Sequence, residues 1–76
     1  HTTVIVLPLS SVLVDNSYPL RYRLNKRDDL LETSEILCDQ VRAIDTNRLD
    51  TQIIASLTTQ EIVLIEEQVQ ILLGFT

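Results

Sequence analysis

The stretch Ser34–Asp45, SEILCDQVRAID, decides how this chain is read. Leu30, Leu37, Val41 and Ile44 recur at helical spacing, whereas Ile36, Leu37, Cys38, Val41 and Ile44 equally suit a strand buried on both faces. Periodicity leaves both open. As a strand, alternation sets Ile36, Cys38, Gln40 and Arg42 on one face and Leu37, Asp39, Val41 and Ala43 on the other. Asp39 then projects from an otherwise apolar row, either as a structural carboxylate bonded to a backbone N–H or an arginine, or as a group that does chemistry.

The flanking sequence is more decided. Val4 to Leu9 is apolar and rich in β-branched residues, and reads as a buried strand that is at an edge or bulged near Pro8; Ser10 and Ser11 close it. DNSYP, residues 15–19, is a turn or loop. Leu20 to Leu24 then alternates Leu, Arg, Tyr, Arg, Leu as a half-exposed strand with Arg21 and Arg23 sharing its outer face. Near the end, Thr58 and Glu61 form a capping box, Leu57 and Ile62 a hydrophobic staple, and Gly74 a C-terminal stop, which predicts a helix from Thr59 to about Leu73. Ile62, Ile65, Val69 and Leu72 give it a core stripe. Val63, Leu64, Ile71 and Leu73 widen the apolar surface, so the helix is expected to be covered on two sides, by the fold or by a second subunit.

The chain has 76 residues, enough for one small domain that buries only about 60% of its unfolded surface. It lacks an initiator Met and enters an apolar run almost at once, so a piece of a longer protein is expected. One cysteine, Cys38, forms no internal disulfide, and with a single histidine it makes no metal site; a reducing compartment and no metal or cofactor are expected. No apolar run approaches the roughly 18 residues of a membrane span and no signal-peptide pattern is present, so the expectation is a soluble, cytoplasmic chain. The net charge is −5, against nucleic-acid binding at first sight, but all six basic residues lie between Arg21 and Arg48. From Leu49 onward the chain carries Asp50, Glu61, Glu66 and Glu67 with no basic residue, so a basic middle and an acidic tail form two different surfaces.

Four stretches in order, VIVLPLSS (4–11), LCDQVRAID (37–45), NRL (47–49) and ILLG (71–74), resemble the MazF/PemK/Kid family of toxin endoribonucleases from bacterial type II toxin–antitoxin modules. The resemblance covers nearly the whole chain and implies that residues 1–76 correspond to about the C-terminal two thirds of a single toxin domain, without its N-terminal hairpin and the Gly-rich, Arg-containing loop. The implied fold is α+β and mainly β, a small SH3-like barrel with a C-terminal α-helix, with Ser34 to Ile44 as a strand. The implied activity is metal-independent cleavage of single-stranded RNA at short motifs. The ribose 2′-hydroxyl attacks and leaves a 2′,3′-cyclic phosphate, which requires a base, an acid and a cation for the phosphorane.

Carried over residue by residue, the resemblance makes Asp39 the acid/base carboxylate and puts Ser10 where a Thr usually hydrogen-bonds the scissile phosphate. Ser11 follows as an RNA contact, and Arg21, Arg23, Gln40 and Arg42 are further RNA-binding candidates. Several have a plain alternative: Ser10 and Ser11 as ordinary strand-end residues, Gln40 as a core residue, and Arg42 as an ion-pair partner of Asp45 or another acid. Two departures matter: Leu37 stands where Kid-like members have an Arg, and the loop Arg of other members belongs to the missing portion, so the fragment alone is expected to be inactive. A homodimer and an acidic, MazE-like antitoxin are the implied partners, with Arg21, Arg23, Lys26 and Arg27 as a basic band for either RNA or antitoxin. The competing reading is a catalytically silent interaction module of the same barrel class that dimerises and binds an antitoxin or gyrase, as the related CcdB toxin does through a C-terminal Trp; this chain has no Trp, but Leu37 favours a silent homologue.

Overall fold

The computed structural model describes residues 3–48 and 54–74. Among these residues five strands and one helix follow in order: β1 Thr3–Val6, β2 Leu9–Ser10, β3 Arg21–Leu24, β4 Ser34–Leu37, β5 Arg42–Asp45 and α1 Thr59–Leu73, with 3₁₀ turns at Cys38–Gln40 and Thr46–Arg48. The strands make two antiparallel sheets, β1–β5 and β2–β4–β3. Among the described residues they do not close into a barrel, so the β-rich architecture with a C-terminal helix is present and the SH3-like closure is not seen.

The decisive stretch is neither one helix nor one strand. β4 pairs with β2 and β3, whereas β5 pairs with β1, so the chain must leave one sheet and join the other, and it turns through Cys38–Gln40 to do so. This corrects the expectation of a continuous strand from Ser34 to Ile44. The same division appears in the first apolar run: β1 joins one sheet and β2 the other, and the run breaks at Leu7 and Pro8, where proline has no N–H to give a ladder. That run is not buried throughout, since Ile5 is 70% exposed.

A small core forms where the three-stranded sheet meets the helix: Leu24, Leu30, Ile36, Cys38 and Ile65 are buried, and Leu7, Tyr22, Ala55, Val69 and Leu72 pack around them. Each large apolar side chain removed from water here contributes about 1.5–3 kcal/mol. The helix begins and ends as its sequence dictates. Thr58 Oγ1 accepts from Glu61 N–H at 3.1 Å, Glu61 Oε1 accepts from Thr58 N–H at 2.8 Å, and Gly74 takes φ 83°, a left-handed conformation that costs glycine nothing. Among the described residues only one face of α1 is covered: Ile65 and Gln68 are buried, but Ile62, Val63, Leu64, Ile71 and Leu73 are exposed, so Ile62 leaves the expected core stripe. An apolar groove of about 340 Å³ also opens beside β1 and β2, lined by Ile5, Leu7, Leu9, Ile54 and Leu57 among others.

No described helix is long and apolar enough to cross a membrane. Leu49 of the NRL stretch and Asp50 of the acidic tail lie outside the described residues.

Candidate functional site

The three-stranded sheet turns Ile36 toward the core and Glu35 to the opposite face. Glu35 stands in the central strand, directly opposite Ser10 of β2 and Arg23 of β3. Arg21 lies two residues from Arg23 and therefore on the same face. The shared face expected of Arg21 and Arg23 thus holds, with a carboxylate between the two guanidiniums, whereas Leu20 lies before β3 in a turn and is 45% exposed. Arg23 donates to Glu35 Oε2 from Nε at 3.1 Å and from Nη2 at 2.8 Å, while Arg21 Nη1 donates to Oε1 at 3.0 Å.

The loop after β2 folds over this cluster and is fastened by it. Val14 N–H donates to Glu35 Oε1 at 2.9 Å, Arg21 Nη1 to the Val12 carbonyl at 3.0 Å, and Arg23 Nη2 to Asp15 Oδ1 at 3.1 Å. The Glu35 side chain is left 2% exposed. Burial pushes its carboxyl up, but the Val14 N–H and the Arg23 and Arg21 guanidiniums outweigh burial and hold it at about 2. The Glu35 and Asp15 hydrogen bonds in turn raise Arg23 further above its ordinary value.

Ser10 belongs to the same region: its Oγ accepts from Val12 N–H at 3.1 Å and so shapes the first turn of the loop. Ser11 is exposed just beyond β2. Asp39 and Gln40 lie elsewhere. Both are exposed on the 3₁₀ turn, which corrects two expectations: Asp39 does not stand in an apolar strand row, and Gln40 does not share the face of Ile36 and Cys38. Arg42 is exposed at the start of β5, opposite Val6. The register therefore gathers Ser10, Arg21 and Arg23 around Glu35 and leaves Asp39, Gln40 and Arg42 together past the far end of β4.

The turn carrying Asp39 is itself held. Leu37 N–H donates to the Pro8 carbonyl at 2.9 Å and Cys38 N–H to the Leu20 carbonyl at 2.8 Å. Cys38 is fully buried, and burial, together with the Asp39 carboxylate beside it, pushes its thiol up, so it is a packing residue and not a nucleophile. The basic band is divided. Arg27 donates to the Glu61 carboxylate with Nη1 at 2.6 Å and Nη2 at 2.7 Å, tying the β3–β4 connection to the start of α1. Its hydrogen bonds, to Arg27 first and to the Thr58 backbone next, hold Glu61 at about 2.

Two residues that shape the site were not singled out from sequence. Gln68, buried on α1, donates from Nε2 to the Pro19 carbonyl at 3.0 Å and the Arg21 carbonyl at 2.9 Å, fixing the backbone that leads into β3. Its signal was present: a polar residue three positions after Ile65 and four before Leu72, within the apolar stripe. Glu35 could be found only by pairing the Arg21, Arg23 face with an acid on a neighbouring strand. Among the described residues, no group of three His, Cys, Asp or Glu side chains could hold a metal ion.

A search of curated proteins returned no match to the chain. In agreement with the order of motifs around β1, β4, β5 and α1, residues 1–73 match the family model of the PemK-like, MazF-like toxins of type II toxin–antitoxin systems, and the chain belongs to that family.

Proposed function

We propose that this chain carries the acid/base residue of a metal-independent endoribonuclease that cleaves single-stranded RNA, and that this residue is Asp39. Family membership supports the class of protein. The observation that carries the residue is that Asp39 is exposed on a turn whose backbone is tied to Pro8 and Leu20 on either side. A surface carboxylate held in this way can take the proton of a ribose 2′-hydroxyl. The 2′-oxygen then bonds to phosphorus, the P–O5′ bond breaks, and the proton is delivered to the leaving 5′-oxygen, giving a 2′,3′-cyclic phosphate and a 5′-hydroxyl.

The charge that builds on phosphorus needs a cation. Arg21 is the candidate, because it pairs with Leu37, two positions before Asp39. Gln40 and Arg42 flank Asp39 and take the neighbouring nucleotides, while Ser10, Ser11 and Arg23 contact the strand toward β2. The SH3-like barrel, the cytoplasmic homodimer and an acidic antitoxin laid over the RNA site belong to the same reading.

Asp39→Asn in the full-length protein keeps the shape but removes the proton acceptor. Cleavage of single-stranded RNA in the presence of a chelator should fall by roughly 10²–10⁴-fold with an unchanged circular dichroism spectrum. Ser10→Ala should lose less, since it removes one neutral donor. A rate within about threefold of wild type for Asp39→Asn, well short of that range, or an unfolded variant, makes Asp39 a structural carboxylate.

One observation favours a second reading, a silent toxin homologue that only binds its antitoxin: Arg21 and Arg23 are already engaged by Glu35, and Arg23 also by Asp15. That reading requires wild-type protein to bind antitoxin and leave RNA intact.

A further inference from the structure

The groove between the Val14–Tyr18 loop and β3 has a volume of about 260 Å³ and is lined by Asp15, Ser17, Tyr18, Arg21, Arg23 and Glu35 among others. Tyr18 is 69% exposed at its rim. An exposed aromatic on a mobile loop means little, but this loop is pinned along its length. Ser17 O accepts from Leu20 N–H at 2.6 Å, Pro19 O and Arg21 O accept from the buried Gln68 amide, and Leu20 O accepts from Cys38 N–H at 2.8 Å. Ser17 Oγ donates to Val14 O at 2.9 Å, and Val14 N–H is held by Glu35. Four of the five carbonyls from Ser17 to Arg21 thus have partners, and the ring stands on a backbone that does not have to be ordered when a ligand arrives.

We infer that this groove is a nucleotide subsite for single-stranded RNA, in which a base stacks on Tyr18 and the adjoining phosphate replaces the Asp15 carboxylate on Arg23; the inference rests on the endoribonuclease reading. Stacking on an exposed ring beside cationic side chains is the general way single strands are held without reading sequence. The exchange at Arg23 is inexpensive. Asp15 is 84% exposed and its pair with Arg23 is a surface contact of little net worth, whereas the Glu35 bonds stay in place and keep the guanidinium aimed at the groove. Arg and phosphate are matched donors and acceptors, and the exposed Asp15 side chain can swing into water, where solvent screens its repulsion of the incoming phosphate. Glu35 is accordingly a positioning residue for Arg21 and Arg23.

The test measures binding of a short, uncleavable 2′-O-methyl RNA of mixed sequence to the full-length protein by fluorescence anisotropy, alongside cleavage of the unmodified RNA. Tyr18→Ala should weaken binding about tenfold or more, and Tyr18→Phe should stay within about threefold, short of the cost of losing a stacked base. Emission from Tyr18→Trp should be quenched by the RNA and not by an abasic oligomer of equal length, a readout that loop stability does not move. Asp15→Asn should tighten binding several-fold at low salt, and Arg23→Gln should flatten the slope of log affinity against log salt by about 0.7. If wild type cleaves RNA and Tyr18→Ala binds it equally well, the subsite is wrong and the endoribonuclease reading stands. If Tyr18→Ala loses affinity only for poly-glutamate, the groove takes an acidic polypeptide and the subsite is again wrong. If wild type neither binds nor cleaves RNA, both fall together.

Discussion

Glu35 and Arg23 stand directly opposite each other on β4 and β3, and two nitrogens of the arginine reach the same carboxylate oxygen, Oε2, at 3.1 and 2.8 Å. The pair makes a sheet face that would otherwise be solvated into the anchor for a loop. Because Glu35 is nearly enclosed, it cannot lose its charge without leaving two guanidiniums and the Val14 N–H poorly matched.

Acid stability should therefore depend on this carboxylate. Glu35 and Glu61 titrate near 4.5 when unfolded and at about 2 when folded, so the unfolded chain binds more protons in between. Their stabilisation is fully present above 4.5 and is lost as pH falls toward 2. Thermal melts across that window should show wild type losing stability steeply and Glu35→Gln, which starts lower at neutral pH, losing less. Parallel acid curves for the two proteins count against this account.

Gln68→Leu keeps the bulk on α1 but strands the Pro19 and Arg21 carbonyls. Leaving buried backbone acceptors unpaired costs about 1–3 kcal/mol each at most, so the melting temperature should drop. Hydrogen exchange should quicken at Leu20 before it does within α1, and uniform quickening throughout would mean that Gln68 acts only through global stability.

The start of α1 offers a cleaner test. Thr58→Ala removes the N-cap acceptor and should cost about 1 kcal/mol in a denaturant titration. Arg27→Lys retains the charge but not the fork that meets both Glu61 oxygens, and should also lower the midpoint. Since Glu61 serves both the cap and the ion pair, the two losses should not add.

The uncovered apolar surface makes a prediction about assembly. Ile62, Val63, Ile71 and Leu73 are exposed on α1, and the groove beside Ile5, Leu7 and Leu9 is open. Such surface is uncommon on monomers, so light scattering at micromolar concentration should report a dimer or larger species. A stable monomer would show that these residues are tolerated in water.

What was legible in the sequence was legible where signals are local. The helix from Thr59 to about Leu73 was predictable because its cap and its stop each lie within a few positions of an end, although Ile62 leaves the expected stripe. The alternation of Arg21 and Arg23 was readable for the same reason. Ser34–Asp45 was not, since whether Leu37 continues into a strand depends on which sheet β5 joins, and that is settled by β1, some forty residues earlier in the chain. Strand alternation puts Asp39 in an apolar row, and the structure replaces that row with an exposed turn. The charge that is anomalous in place is Glu35, whose neighbours in sequence, Ser34 and Ile36, gave no sign that two arginines would meet it.

The Gln68 amide reaches back to a carbonyl 47 residues earlier in the chain. During synthesis Tyr18, Arg21 and Arg23 therefore emerge long before the group that fixes their backbone, and β1 waits until Asp45 for a partner. The loop is completed only when α1 docks, so a chain interrupted anywhere between Glu35 and Gln68 lacks the assembled surface even though every residue that lines it has already been made.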